Sequence, residues 1–276
     1  MKPKNYLRAG LNRRYSVIIL IHTSKTMRPP VVQHSNTLST PLFLAQAQQL
    51  RDYLASLSVE EIEKMMRISQ KLAVTTRQLL LDWTIDSSMQ RPAIDSFLGD
   101  IYSGLQVAHW TTEDRTYAQS HLRILSGLYG LLRPLDGIFP YRFEMGYKTP
   151  GFSVANPYVF WDKTLAAALP DETIIDLSAV EYGKTVTQYI DTARIITPRF
   201  LTISPKTGEP TFVVVHAKIA RGAYASWMIR HKIEAISQLP TFHEIGYEYS
   251  EDLSTPRVPV FICQTFGGLG LSVRLT

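Results

Sequence analysis

The sequence predicts a single α+β domain. Segments with helical periodicity and short strand-like runs both occur along the chain, and they do not alternate as regularly as in a βαβ protein. No internal repeat or low-complexity linker divides the 276 residues, and 45% of them are hydrophobic, which is enough for one large core. We therefore expect one domain at residues 17–276, preceded by a basic, disordered arm at residues 1–16.

The first half of the chain is predicted to contain one buried strand followed mainly by helices. The run Val-Ile-Ile-Leu-Ile at 17–21 predicts a strand at 17–22, because short apolar runs rich in β-branched residues are typical of buried strands. Pro92 suits the first turn of a short helix. Thr111, with Asp114 three residues later, marks the start of a longer one. The longer helices are expected at about 42–56, 59–66, 70–82 and 111–123.

The second half is predicted to contain more strands. Glycine and proline residues interrupt 126–151, so no single regular element can fill that stretch. Asn156 is a suitable N-cap for a helix that continues to 169. The remaining expected elements are a strand at 173–178, a β-hairpin formed by 193–203 and 211–216, a helix at 217–237 and a strand at 257–263.

Residues 58–80 form the most informative segment for function. Ser58 and Glu61 have the spacing of a capping box, and Ser69 is a suitable N-cap for a second helix. The pattern predicts two helices joined by a tight turn, with Ile68 filling the gap between them.

This layout is that of a helix-hairpin-helix, in which a helix N-terminus binds a nucleic-acid phosphate. Arg67 and Lys71 would lie outside the hairpin, where they can contact an anion. Arg67 and Ser69 stand where the usual motif has glycine, which weakens the prediction of a close phosphate contact. An ordinary αα-hairpin with a solvated basic tip is the equal alternative.

Composition excludes several classes of protein. No apolar run reaches the roughly 18 residues of a membrane span, and the single cysteine, Cys263, cannot form an intramolecular disulfide or a cysteine-cluster metal site. The seven histidines lack metal-ligand spacing, and the phosphate-binding and dinucleotide-binding glycine motifs do not occur. We therefore expect a cytoplasmic protein with no membrane contact, metal or cofactor.

The net charge of +5 says little about the partner of the domain. Five cations lie in the arm, and the remainder of the chain has 24 basic and 24 acidic residues. A basic surface on the domain must therefore arise by segregation of charge.

Two segments could supply catalytic side chains. Lys25, directly after the first strand, could contact phosphate or act as a nucleophilic amine, and an ordinary loop lysine is the alternative. In residues 99–105, two glycines frame Asp100 and Tyr102.

Residues 121–146 contain three arginines interleaved with tyrosines. Arg123, Arg133 and Arg142 would suit a groove for phosphate and base. They would equally suit ion pairs with Asp136 and Glu144.

Lys218 and Arg221 lie three residues apart at the predicted start of a helix. Cations at that position oppose the helix dipole, so an anionic partner would explain them. A simple exposed helix start is the alternative.

Taken in order, these segments resemble the peroxide-stress protein YaaA family. The resemblance runs from Val17 to about Ile262. Its most specific anchors are Met66-Arg67-Ile68-Ser69 with Lys71-Leu72-Ala73, Gly99-Asp100 with Tyr102, Leu125 to Gly130 with Leu132 to Asp136, Pro140 to Arg142, Glu144 to Gly146, Phe160-Trp161, Glu181-Tyr182, Lys184, and Ala217-Lys218 with Ala220-Arg221-Gly222.

The resemblance implies a cytosolic protein of peroxide defence with a single α+β domain of the YaaA type. It further implies a helix-hairpin-helix and a basic cleft that bind duplex or distorted DNA, with DNA favoured over RNA. By that resemblance the hairpin contacts are Arg67, Ser69 and Lys71, and the residues lining the cleft are Lys25, Arg123, Arg133, Arg142, Lys184, Lys218 and Arg221.

One segment departs from the family pattern. Relatives typically have Ser-Pro-Ala-Lys-Thr-Leu after the first strand, and this chain has His22-Thr23-Ser24-Lys25-Thr26-Met27. Lys25 and Thr26 are retained, whereas the residues before them differ, so we expect any chemistry that relatives perform with this loop to be altered or lost.

DNA binding is therefore the leading hypothesis. The alternative is an enzyme that acts on a nucleotide, a damaged base or another small anion in the same cleft. Lys25 or Lys218 would then be the nucleophile or anion clamp, and Asp100 or Glu144 the acid and base. A third hypothesis is an interaction scaffold in which the arginines and tyrosines are only structural.

Overall fold

The computed structural model describes residues 17–30 and 38–269, so the predicted arm at 1–16 lies outside the described residues. The α-helices are α1 Leu44–Ser56, α2 Val59–Met66, α3 Gln70–Leu81, α4 Ala93–Ser96, α5 Asp100–Leu105, α6 Thr112–His121, α7 Pro157–Trp161, α8 Thr164–Ala167, α9 Val180–Thr187 and α10 Val214–Arg230. The strands are β1 Val17–His22, β2 Thr26–Met27, β3 Arg91–Pro92, β4 Phe97–Leu98, β5 Leu122–Ser126, β6 Gly130–Leu132, β7 Gly137–Ile138, β8 Thr173–Asp176, β9 Ile195–Ile196, β10 Arg199–Ile203, β11 Pro210–Thr211, β12 Tyr247–Thr255 and β13 Val258–Cys263. This mixture of helices with several sheets agrees with the predicted α+β class.

Strand β1 lies at the centre of a five-stranded sheet with the order β6-β5-β1-β8-β9. It runs parallel to β5 and β8, β8 runs parallel to β9, and β6 is antiparallel to β5. Residues 17–21 are all buried, which explains the continuous apolar run of the sequence. Because the strands are parallel, β1, β5 and β8 end along one side of the sheet, at His22, Ser126 and Asp176. We call this side the carboxyl edge.

A second sheet, with the order β11-β10-β13-β12, forms the other half of the core. Its inner face packs against α10 through aromatic contacts of Phe200 and Phe261 with Tyr224. One continuous cluster of buried apolar side chains includes members of both sheets, among them Ile19 and Phe261.

Helices α5 and α10 cross with their backbones in contact. A Cβ atom on Gly222 would lie 1.9 Å from the carbonyl oxygen of Ile101, and one on Gly104 would lie 2.0 Å from that of Ile219. Only glycine permits so close an approach. The crossing holds the first half of α10, including Arg221, near the carboxyl edge.

The predicted pair of helices at 58–80 is formed by α2 and α3. Ser58 and Glu61 make both hydrogen bonds of the capping box, and Ser69 Oγ accepts a hydrogen bond from the N–H of Leu72. Arg67 adopts the left-handed conformation, with φ 53° and ψ 52°, for which the usual motif has glycine. Ser69 is extended, with φ −69°, and does not need glycine.

The hairpin packs on the core as the sequence predicts. Ile62, Met66 and Ala73 are buried, and Ile68 is half-buried against the core cluster. Arg67 and Lys71 are exposed. The structure shows an αα-hairpin with a basic tip, and the assignment to the nucleic-acid-binding motif stays a prediction.

Several elements differ from the expectation. The helix predicted at 156–169 is divided into α7 and α8 at Asp162, which has φ 41°. Val214 and Val215 belong to α10 and not to a strand, because packing of α10 against α5 and β10 outweighs their β-propensity. Strand β12 was not predicted, since most of its residues are polar and at least half-exposed at the end of a sheet.

Candidate functional site

The carboxyl edge brings together His22 and two cations of α10. The His22 ring stacks on Tyr182, with 5.1 Å between ring centroids, and Nδ1 accepts a hydrogen bond of 3.1 Å from the N–H of Ala179. Burial, aided by the charges of Arg221 and Lys218, lowers the pKa of His22 to about 3. The ring is therefore neutral near pH 7, with its proton on Nε2.

Arg221 reaches the same place from α10. Its Nη1 donates a 3.2 Å hydrogen bond to the carbonyl oxygen of Ser178. Among the described residues Arg221 forms no ion pair. Burial lowers the pKa of its guanidinium, and the nearby charge of Asp176 opposes this shift. A largely buried cation without a paired carboxylate is available for an anion.

Asp176 is the last residue of β8, and both of its carboxylate oxygens lie against neighbouring groups. Its Oδ1 accepts hydrogen bonds from the N–H and the hydroxyl of Ser178, at 3.0 and 2.6 Å. A Cβ atom on Gly183 would lie 2.7 Å from its Oδ2, so this oxygen faces α9. Burial raises the pKa of Asp176.

Glu144 lies at the other end of the edge, beside Lys25. Burial raises the pKa of Glu144, Glu181 raises it further, and the charge of Lys25 opposes the shift. Tyr182 hydrogen-bonds to Glu144 and also accepts a hydrogen bond of 3.3 Å from Thr23 Oγ1. A buried carboxyl group hydrogen-bonded to a hydroxyl can hold or transfer a proton.

Arg142 lies beside Lys25, whereas Lys184 lies in the last turn of α9. Lys184 Nζ lies 3.8 Å from the ring centroid of Tyr158, and it is exposed to solvent. Arg142 Nη1 donates a 3.2 Å hydrogen bond to the carbonyl oxygen of Lys25. Of the residues named from the sequence, Lys25, Arg142, Lys218 and Arg221 thus lie at or near the carboxyl edge, and a cleft formed by them stays a prediction.

Helix α5, whose first residue is Asp100, packs against the loop after β1. The preceding Gly99, with φ 135°, packs against Ser24: a Cβ atom on it would lie 2.7 Å from the Ser24 hydroxyl. Tyr102, in the same helix, donates a 3.1 Å hydrogen bond to the carbonyl oxygen of His22. The Asp100 segment therefore supports the loop after β1.

The helical hairpin borders a separate groove of about 1010 Å³. One wall is the end of α2 with Arg67, and the other is the loop at 146–155. The groove is lined by three exposed cationic residues, Lys64, Arg67 and Lys148, and by the acidic residue Glu61. Ser69 and Lys71 lie just beyond it, in the first turn of α3.

Arg123 and Arg133 are not at the carboxyl edge. Arg123 lies near the start of β5 and donates from Nη1 to the carbonyl oxygens of Gln119 and Leu122. Arg133 forms an ion pair of 2.9 Å with the fully buried Asp136. The sequence left two roles open for Arg133, a groove for phosphate and base or an ion pair with Asp136, and the structure favours the ion pair.

Sequence reasoning assigned no role to His22, Asp176 or Ser178. These residues share one signal, since each lies at or just after the carboxyl end of a predicted strand. In parallel sheets, ligands bind there. The signal could not be used because the sequence does not reveal that β1 and β8 are parallel neighbours.

Other kinds of site find no support in the described residues. Within 17–30 and 38–269, no group of three or more His, Cys, Asp or Glu side chains could hold a metal ion. None of the helices in these ranges has the length and apolarity that a membrane crossing requires. Cys263 is buried, and burial raises the pKa of its thiol.

The fold and the site define a class of protein in which a mainly parallel central sheet ends in a cationic edge beside a basic helical hairpin. The amino-acid sequence matches a model of one known protein family over most of its length. A family model described as "Peroxide stress protein YaaA" matches residues 17–253. The chain belongs to the peroxide stress protein YaaA family.

Similar proteins bear the name UPF0246 protein. One from Salinispora tropica is 54% identical over 259 residues, which cover 94% of this chain and 98% of the relative. One from Cellvibrio japonicus is 36% identical over 254 residues, covering 88% and 96%. One from Shewanella sp. (strain ANA-3) is 38% identical over 258 residues, covering 89% and 98%.

Proposed function

We propose that this protein binds duplex or distorted DNA in the peroxide stress response, along a basic surface from the tip of the helical hairpin to the carboxyl edge. The main support is the groove between α2 and residues 146–155, whose exposed cations are Lys64, Arg67 and Lys148. Phosphate contacts by such cations supply most of the non-specific affinity for DNA.

The tip of the hairpin offers two kinds of phosphate contact. The first N–H groups of α3 have no acceptor within the helix, and Lys71 lies in that first turn. Arg67 already holds the left-handed conformation, so the missing glycine does not prevent the turn. Ser69 caps α3 through its oxygen, which leaves its hydroxyl proton for a phosphate.

One segment connects the groove to the carboxyl edge and supports a continuous surface. Arg142, at its start, is hydrogen-bonded to Lys25, and residues 146–155 line the groove. Between them, the N–H of Gly146 donates a 2.8 Å hydrogen bond to Glu181 Oε1 in α9. A DNA strand that leaves the groove along this segment passes Lys25 and Lys184.

The state of the cysteine argues against thiol-based peroxide chemistry. A reactive cysteine needs exposure and a lowered pKa, whereas Cys263 is buried and its pKa is raised. Protection of DNA explains a role in peroxide stress without such a thiol. A free thiol also suits the reducing cytoplasm, where we place the protein.

The test measures binding of labelled duplex and bubble DNA by fluorescence anisotropy at several salt concentrations. We expect affinity to fall steeply as salt rises, because phosphate contacts release counterions. Lys71→Glu should weaken binding by roughly tenfold or more. The matched control is Lys206→Glu, which makes the same charge change at an exposed position in the turn after β10. Absence of binding at about 50 mM salt, or equal losses in both variants, would refute the proposal.

A second candidate is an enzyme whose substrate is a nucleotide, a damaged base or another small anion. It is favoured by the buried Glu144, with its raised pKa, beside Lys25. Glu144 would be the proton donor or acceptor, and Lys25 or Lys218 the nucleophile. Borohydride trapping on a duplex with an abasic site tests the Schiff-base form. An adduct lost in Lys25→Gln or Lys218→Gln would support it, and the absence of an adduct would remove it.

A further inference from the structure

The topology of the central sheet places a reversal of strand order beside His22, where a ligand crevice is expected. The parallel strands have the order β5-β1-β8-β9, so the chain passes from β1 to β5 on one side and from β8 to β9 on the other. Where strand order reverses in this way, open α/β sheets bind ligands outside the carboxyl ends of the strands. The hydrogen bond between Ala179 and His22 joins the β8–α9 connection to the end of β1 at this position.

Three side chains supply hydrogen-bond donors in this crevice. His22 offers Nε2–H, because its Nδ1 is occupied as an acceptor. Lys218 and Arg221 lie on one face of α10, three residues apart, and their charges act on His22. Arg221 has further donors beyond the one that bonds to Ser178.

The charge of Asp176 acts on Arg221 and offsets part of this positive charge. Among the described residues, however, neither Lys218 nor Arg221 forms an ion pair. The two oxygens of Asp176 are directed at Ser178 and α9, as described above. Glu144 faces Lys25 and Tyr182, further along the edge. The start of α9 adds the positive end of a helix dipole, and its first residue, Val180, is 83% exposed.

We infer that His22, Lys218 and Arg221 form a binding site for a phosphate monoester, supplied by a free mononucleotide or by the terminal phosphate of a DNA strand. Two full positive charges match the dianion of a monoester better than the single charge of a backbone diester. The guanidinium fork can bind two phosphate oxygens at once. The inference deepens the proposed function, since Lys218 and Arg221 belong to the same surface, but mononucleotide binding does not require DNA binding.

The experiment measures binding by isothermal titration calorimetry with inorganic phosphate, deoxyadenosine monophosphate and deoxyadenosine. We expect the two phosphate compounds to bind and the nucleoside not to bind. Arg221→Gln and Lys218→Gln should each weaken binding about tenfold or more, as loss of a charge-assisted hydrogen bond does. Lys206→Gln is the matched control and should bind as wild type. Because Arg221 is partly buried, its variant is first checked by urea unfolding; Lys218 is exposed and provides the second variant.

A second arm compares oligonucleotides with a 5′-phosphate and a 5′-hydroxyl group. If the 5′-phosphorylated strand binds more tightly than the 5′-hydroxyl strand, and Arg221→Gln removes this difference, the site binds the end of a DNA strand. If the two strands bind equally and the mononucleotide binds tightly, the site binds the free nucleotide. If DNA binds but neither mononucleotide nor terminal phosphate adds affinity, the inference is wrong and the proposed function stands. If the mononucleotide binds with the expected losses and DNA does not, the proposed function is wrong and the inference stands.

Discussion

Replacing Arg67 by glycine separates the structural role of the hairpin tip from its role in DNA binding. Arg67 has φ 53°, a conformation that costs a residue with a Cβ atom about 1–2 kcal/mol. Glycine relieves this strain, but its backbone is more flexible in the unfolded chain, so ordering it on folding costs about 0.4–1 kcal/mol more. We therefore expect Arg67→Gly to raise the free energy of unfolding by about 0.5–1 kcal/mol.

The matched control is Arg67→Ala, which removes the same charge but keeps the strain. The exposed Arg67 side chain forms no ion pair with the described residues, so its loss alone should cost little stability. Urea unfolding followed by fluorescence of the four tryptophans measures both variants. If Arg67→Gly is no more stable than Arg67→Ala, the left-handed turn is not strained.

The same two variants test the phosphate contact. Each should lose DNA affinity and reduce the slope of log affinity against log salt by about 1, the value for one phosphate contact. Equal affinity in wild type and both variants would refute a role for Arg67 in binding.

Three further predictions concern the carboxyl edge and the core. His22 should lower the free energy of unfolding as pH drops from about 7 to about 4, because the unfolded chain takes up a proton at the ordinary histidine pKa of 6.5 and folded His22, with its pKa lowered to about 3, does not. The raised pKa values of Glu144 and Asp176 act in the opposite direction, so the measured quantity is the difference between wild type and His22→Gln; a difference that does not change with pH would contradict the burial of this ring. Gly222→Ala should destabilise the fold by at least about 3 kcal/mol in urea unfolding, since its Cβ would meet the Ile101 carbonyl at 1.9 Å; full stability would contradict the close crossing of α5 and α10. Cys263 should react with a thiol reagent slowly in the native protein and fully in urea, because it is buried and its pKa is raised; rapid native reaction would show that the thiol is accessible.

The elements that sequence predicted well are those fixed by local interactions. The capping boxes of Ser58 with Glu61 and of Thr111 with Asp114 form as expected, and α2 and α6 begin directly after them. The apolar run at 17–21 is a buried strand. Each of these signals depends on neighbours in the sequence, so the chain alone contains the information.

The elements that sequence predicted poorly depend on distant partners. Strand β12 is defined by its pairing with β13, and its polar residues give no local strand signal. Val214 and Val215 have strand propensity, yet they lie in α10 because that helix packs between α5 and the second sheet.

The candidate site shows the same division. Arg123, Arg133 and Arg142 share one pattern in the sequence, but the structure places Arg142 at the carboxyl edge and pairs Arg133 with the buried Asp136. Residue type predicted only that these arginines suit an anionic partner. Arg133 has one in Asp136, whereas Arg123 and Arg142 donate to backbone carbonyl oxygens. Which partner each arginine has depends on the tertiary structure around it.

The sequence by itself determined the helical hairpin with its basic tip, the central buried strand, the presence of a single cysteine and the family. These follow from capping, periodicity and order of residues, which act over a few positions. Tertiary structure alone decided that β1 and β8 are parallel neighbours, that α10 crosses α5 at two glycines, and that His22, Lys218 and Arg221 therefore meet at the carboxyl edge. The physical reason is that strand pairing and helix crossing join residues more than a hundred positions apart, and the contacts that favour such joining exist only once the core has formed.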